Sequence, residues 1–305
     1  MAEAKAKQKK PVTTVRDYFG IDAVAGYQDA ALGKEEGLST RLIGIEVEVE
    51  NHELQRHPRD VWISTDDGSL RNNGLEWITR PITANQARGA LNNLLVESLS
   101  QDCCFSPRTS VHVHVNCQDV PIEKIPNIVC LYAVLEPLFY RYAGRSRNKN
   151  IFCVPVLETN LITAIQNKGL NFVVGEWSKY SGLNLVPLGE KGTIEFRHMH
   201  GTNDVNKLVK WVDMLTKLVD FVVKSETGEL SKVLFDFNET FNVKLMLLDI
   251  FGLGLQDCLQ YYDYSTIRES VTNMKQAFIS KAGSQQVASE RSMEAAFYTT
   301  RVKGI

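Results

Sequence analysis

Three short stretches carry residue types that can do chemistry. In IGIEVEVE (43–50), Glu46, Glu48 and Glu50 alternate with Ile45, Val47 and Val49. In VHVHVN (111–116), His112 and His114 alternate with three valines. In TIEFR (193–197), Glu195 and Arg197 alternate with Ile194 and Phe196. Alternate residues of a β-strand share a face, so each stretch puts ionisable groups on one side and apolar groups on the other. Like charges about 6.5–7 Å apart along a strand repel. A bound divalent cation turns that cost into a gain, and hard cations take carboxylate oxygens. Each stretch alone also has a plain reading. The glutamates suit a solvated edge strand, the His-x-His a surface or half a zinc site, and Glu195 with Arg197 a weak ion pair.

Taken together the stretches converge. Glu76, in GLEWIT (74–79), adds a further carboxylate, giving the set Glu46, Glu48, Glu76, His112 and Glu195 with Arg197. Carboxylates outnumber imidazoles, which favours Mg²⁺ or Mn²⁺ over zinc. Such metals beside an arginine suit phosphoryl transfer from a nucleotide. No glycine-rich phosphate loop is present, so metals and side chains would have to hold the nucleotide. His198 and His200 would fall on the Ile194 face of a regular strand, but Gly201-Thr202 opens the next helix and a distortion is expected before it.

Other elements must position these groups. Strands are expected at 41–51, 74–79, about 109–116 and 191–201. Between 65 and 70, TDDGSL reads as a tight turn with Gly68 free to take positive φ. Thr83 is placed to cap a helix over roughly 84–99. A long apolar helix should run from Pro121 to about Gly144, and another over about 204–224, capped by Thr202 or Asn203. Residues 145–192 read as irregular, and the chain beyond 230 as mainly helical. Arg141 and Arg145, one turn apart near the end of the long helix, either complement its dipole or clamp a substrate carboxylate or phosphate. Alternating strand faces argue against a doubly covered parallel sheet. The expected class is α+β, a largely antiparallel sheet backed by helices with an exposed polar face. The organisation read is a flexible basic tail at 1–12, a catalytic domain at 13–228, and a helical extension at 229–305 packed on it.

The bulk numbers exclude some functions. A formal net charge of −2 over 305 residues gives no general case for nucleic acid or an anionic membrane. No apolar run approaches the ~20 residues that span a bilayer, and the lysine-rich start lacks the apolar segment of a secretory signal. Six scattered cysteines without a CxxC pair suit reduced thiols in a cytoplasm.

The ordered set GIEVEVE, DGSL followed by Glu76, SVHVHVN, KYSGLNL and TIEFRHMHGT resembles the amidoligase family over roughly residues 41–215. That family is found largely in phages and bacteria and is similar, more distantly, to glutamine synthetase and glutamate–cysteine ligase. The resemblance implies a curved sheet forming an open half-barrel that carries ATP and two or three Mg²⁺, in the cytoplasm (the host's, if phage-encoded). It implies joining of a small-molecule or peptide carboxylate to an amine, with an oligomer allowed. Glu46, Glu48, Glu76, His112 and Glu195 would be metal ligands, with Glu50 too far along. His114 would lie by the nucleotide. Glu195 and Arg197 would be catalytic, Arg197 contacting phosphate. Lys179 and Asn184 of the KYSGLN segment would contact substrate or nucleotide. The longer signatures of glutamine synthetases are missing, so glutamate and ammonia are not implied. A guanidino-kinase-type phosphotransferase, a non-catalytic interaction protein with the same fold and a zinc hydrolase are the competing readings.

Overall fold

The computed structural model describes residues 13–51, 61–96, 99, 105–159, 177–225 and 243–254. Seven strands form one antiparallel sheet: β1 Leu42–Val49, β2 Trp62–Thr65, β3 Leu75–Thr79, β4 Ile82–Thr83, β5 Ser110–Asn116, β6 Leu183–Asn184 and β7 Thr193–His200. The order is β2-β3-β1-β5-β7-β6, with β4 pairing the start of β1. The sheet is open, ending at β2 on one side and β6 on the other. Among the described residues the α-helices are α1 Val15–Phe19, α2 Ala87–Leu91, α3 Ile125–Ala143, α4 Val205–Lys224 and α5 Val243–Phe251. The molecule is α+β.

Alternation makes the core. Ile43, Ile45, Val47, Val113, Val115, Ile194 and Phe196 leave one sheet face and are fully buried. With them are buried Leu131, Leu135 and Phe139 of α3 and Leu208, Val212, Leu215 and Val219 of α4, which recur at helical spacing. Each such side chain contributes about 1.5–3 kcal/mol on burial. On α5, Met246, Leu247, Ile250 and Phe251 are buried as well, and the Phe251 ring meets Phe139 at 6.4 Å. The Lys-rich residues 1–12 and most of 229–305 lie outside the described residues.

Several expectations need correcting. β1 is not an edge strand, since β3 and β5 bond it on either side. The polar face is not exposed: Glu48, His112, His114 and Glu195 are all at most 7% accessible. Gly68 is not among the glycines with positive φ; in this region Asn72 and Asn73 take it. Thr83 does form a capping box with Gln86, but a 3-10 turn follows, then α2, then a π-helical turn to Val96. Asp204, not Thr202 or Asn203, caps α4, accepting from Lys207 N at 3.0 Å.

β7 holds the irregularity expected near its histidines, yet it does not stop there. Val113 pairs Phe196 while Val111 pairs Met199, so two positions of β5 are matched by three of β7. One extra residue makes a bulge and lets both His198 and Met199 bury on the core side. The strand then continues to His200.

Candidate active site

Register brings the charged residues together. Glu46 lies opposite His112, Glu48 opposite Glu76, and Glu195 opposite His114. His112 is the hub. Its Nδ1 is 3.1 Å from Glu46 Oε2 and 3.4 Å from Glu195 Oε1, and its Nε2 is 2.7 Å from Ser110 Oγ. Ser110 spends its own hydroxyl proton on Glu48 Oε2 at 2.6 Å and donates its backbone N–H to the same oxygen. Ser110 must therefore accept from His112, which puts a proton on Nε2. Nδ1 then faces two carboxylates. Its nearest donor, Arg197 Nη1, is 3.5 Å away and already engages Glu195 Oε1. A lone pair against two carboxylates is repulsive, so the spot calls for a proton or a metal ion.

The remaining contacts extend this row. His114 reaches Glu46 Oε1 with Nε2 at 3.0 Å and Thr193 Oγ1 with Nδ1 at 2.9 Å. Asn184 donates to Glu195 Oε2 at 2.6 Å. Three sets of potential ligand atoms each fall within 4.8 Å of one another: Glu46, His114 and Glu195; Glu46, Glu76 and His112; Glu48, Asp67 and Glu76. Shared Glu46 and Glu76 link the sets into a chain along the sheet.

Electrostatics differ along that chain. Burial disfavours ionised Glu46, but hydrogen bonds from His114 and from His112, once a proton fills its Nδ1, outweigh it and hold the carboxyl well below the ordinary range. Burial likewise opposes ionised Glu195, and the charges of His112 and Arg197 overcome it. Glu76 has no such partner. Burial, then the charges of Glu46, Glu48 and Asp67, push it up to about 8. A cation among those carboxylates would remove the conflict.

Two pockets open on this face. One, about 550 Å³, has apolar walls including Phe19, Ile21, Val24 and Leu42, with Gly44, Glu46, His114 and Thr193 along its floor. The other, about 340 Å³, is strongly charged and includes Glu48, Asp67, Glu76, His112, Arg197 and Lys179.

The model for the family described as "Putative amidoligase enzyme" matches residues 50–219. The chain belongs to this amidoligase family. No curated protein matches it. The matched stretch contains Glu76, His112, His114, Glu195 and Arg197, while Glu46 and Glu48 lie just before it and are tied in by register.

Among the residues expected at an amidoligase site, Glu46, Glu48, Glu76, His112, His114, Glu195 and Arg197 do gather. Asn184 is there too, but its amide is committed to orienting Glu195. Lys179 lies in the smaller pocket, its ammonium 5.1 Å from the Tyr180 ring centroid. Glu50 accepts from the Arg71 backbone N–H at 2.9 Å, a local bond at the end of β1. Arg141 sits in the last turn of α3 and lines neither pocket. Arg145 is in the following 3-10 turn, and its side chain lies outside the described residues. His198 is buried in the core, 2.5 Å from Tyr132 Oη, and burial depresses its basicity strongly. It is therefore removed from any proton transfer on the polar face.

Three contributors escaped the sequence reading. Asp67 was visible only as a turn residue, although two consecutive aspartates before Gly68 are a signal. Ser110 precedes the His-x-His and looks like a strand end. Arg147 is 3% accessible and donates Nε to the His198 carbonyl and Nη2 to the Arg197 carbonyl, each at 2.9 Å. Only its place two residues past Arg145 pointed toward it.

Proposed function

We propose that this amidoligase is an ATP- and Mg²⁺-dependent carboxylate–amine ligase that works through an acyl-phosphate on its open antiparallel sheet. The observation that carries the reading is the buried His112 Nδ1 facing Glu46 and Glu195, beside Arg197 and next to Glu76, whose ionised form the neighbouring carboxylates oppose. That is a place built for positive charge between two pockets. Residues Glu46, Glu48, Glu76, His112 and Glu195 would hold Mg²⁺ or Mn²⁺, with Asp67 added by the structure. The metal, when bound, supplies Lewis-acid stabilisation of phosphate oxygens.

The apolar 550 Å³ pocket suits the nucleoside end of ATP, with His114 and Glu46 at its floor. The charged 340 Å³ pocket suits the carboxylate substrate. A substrate carboxylate oxygen attacks the γ-phosphorus, forming one P–O bond while the bond to the ADP oxygen breaks. The amine nitrogen then attacks the acyl carbon, the C–O bond to phosphate breaks, and phosphate leaves. The amine's proton passes to a sheet-face carboxylate or to phosphate. Arg197 stabilises the charge that develops on the transferring group. Glu195 and Asn184 fix the direction of Arg197, and the sheet fixes the approach of the reactants.

The test is ATP consumption with Mg²⁺ across pools of carboxylates and amines, with mass spectrometry of the products. ADP, phosphate and a product one water lighter than the two substrates are expected. A stable phosphorylated product formed without an amine would replace the ligase reading with a phosphotransferase.

A further inference from the structure

The smaller pocket contains a charge arrangement that metal binding does not use. Its acidic wall is Glu48, Asp67 and Glu76. Its cations are Arg108, Lys179 and Arg197. Arg197 is committed to Glu195. Arg108 has no side-chain hydrogen bond or ion pair among the described residues, and Lys179 has only the Tyr180 ring. Acids and bases share one small pocket and do not neutralise each other. The acids have a use in holding cations; Arg108 and Lys179 have none yet.

We infer that Arg108 and Lys179 form a second anion-binding point, and that the pocket selects a dicarboxylate as the acyl substrate. One carboxylate lies at the Glu76–Arg197 end and reacts. The other is held at Arg108 and Lys179, where a guanidinium can grip it with two parallel hydrogen bonds. Both cations are exposed, so leaving them unpaired costs little in water. They gain value when a ligand closes the pocket and excludes solvent. A volume of about 340 Å³ limits the occupant to roughly amino-acid or dipeptide size. Such a substrate is an acidic amino acid, its simple diacid, or the acidic end residue of a short peptide. Tyr180 and Phe152, whose rings meet at 5.7 Å, are pocket residues positioned to pack on the linking methylenes.

This inference rests on the ligase reading only for which carboxylate reacts. Binding can be measured apart from turnover. Calorimetric titration of the full chain with Mg²⁺ would use malonate, succinate, glutarate and adipate against acetate, propionate and butyrate. At least one diacid is expected to bind about tenfold tighter than any monoacid, the scale of one added charge-assisted contact. Arg108→Gln should bring that preference to within about threefold, and Arg108→Lys should retain part of it. ATP affinity should not change in either variant, because Arg108 lies outside the nucleotide pocket. Arg108 is exposed, so folding is not at risk. Equal binding of diacids and monoacids would overturn the inference. So would a preference that survives Arg108→Gln combined with Lys179→Gln. Diacid binding without ATP turnover on any amine would support the pocket assignment and overturn the ligase reading. Turnover confined to monoacids would do the reverse.

Discussion

At the scale of single residues, the site is a problem of proton and charge placement that a bound cation would resolve. His112 cannot satisfy both carboxylates at Nδ1 as a neutral ring, and the charges of Glu46, Glu48 and Asp67 oppose an ionised Glu76. Glu46→Ala and Glu195→Ala should each abolish Mg²⁺-dependent ATP turnover with the fold retained, as read by circular dichroism; wild-type turnover in both would sink the metal assignment. Glu76 gives a pH prediction. Its folded pKa, about 8, lies above its ordinary value of 4.5, so the folded state holds the extra proton. Its contribution to stability is present at low pH and lost as pH rises from about 4.5 through 8. With chelator present, the melting temperature should fall across that window. Glu76→Gln should flatten the slope, and Mg²⁺ should restore stability at its upper end. Glu46 and Glu195, whose carboxyls are depressed, act in the opposite sense below their ordinary range. Most of these residues were legible because they recur at period two beside buried partners. Asp67 and Arg108 were not, since turn and loop residues have no period, and a free guanidinium in a loop has no one-dimensional signature.

At the scale of elements, the parity of each strand decides which histidines take part. Both His-x-His motifs have the same spelling. β5 keeps strict alternation, so His112 and His114 share the polar face, while His198 stays on the core side of Ile194 and Phe196 among Tyr132, Tyr140 and Trp211, and the extra residue in β7 turns Met199 inward beside it. The break in period could be expected from Gly201; its direction could not, because register depends on partner strands. Arg147 pins the bulge by both carbonyls, and Gly182 accepts the Arg197 N–H at 2.9 Å from the other side. A Cβ at Gly182 would come within 2.4 Å of Tyr140 Oη. Arg147→Lys keeps the charge but loses the two-pronged grip. It should lower kcat by about tenfold with little change in KM for ATP. A matching rise in KM would instead place Arg147 in nucleotide binding.

At the scale of the whole molecule, an open antiparallel sheet puts its buried hydrophobic face on α3 and α4 and reserves the other for chemistry. Sheet class and helix layer followed from the alternation. The strand order did not, since long connections between strands leave it free. The charged row crosses β3, β1, β5 and β7, so cation binding should stiffen the centre of the sheet rather than an edge. Mg²⁺ with ATP should therefore raise the melting temperature by linkage, about 2.7 kcal/mol when the free ligand is a hundredfold above its Kd. Differential scanning fluorimetry checks this, and Glu46→Ala should remove the shift. Among the described residues no helix is long and apolar enough to cross a membrane.

Glu46 lines the larger pocket and its contact partner His112 lines the smaller. Phe19 and Pro81 line the larger, Asp67 and Tyr180 the smaller, and the two share no lining residue. Neither occupant would have to pass through the other's chamber. Initial-velocity patterns should then show random addition, with intersecting lines and no obligatory first substrate. Product departure should be equally unordered, with ADP and amide inhibiting competitively against different substrates. An enzyme arranged in this way does not wait in a queue for whichever ligand is scarce.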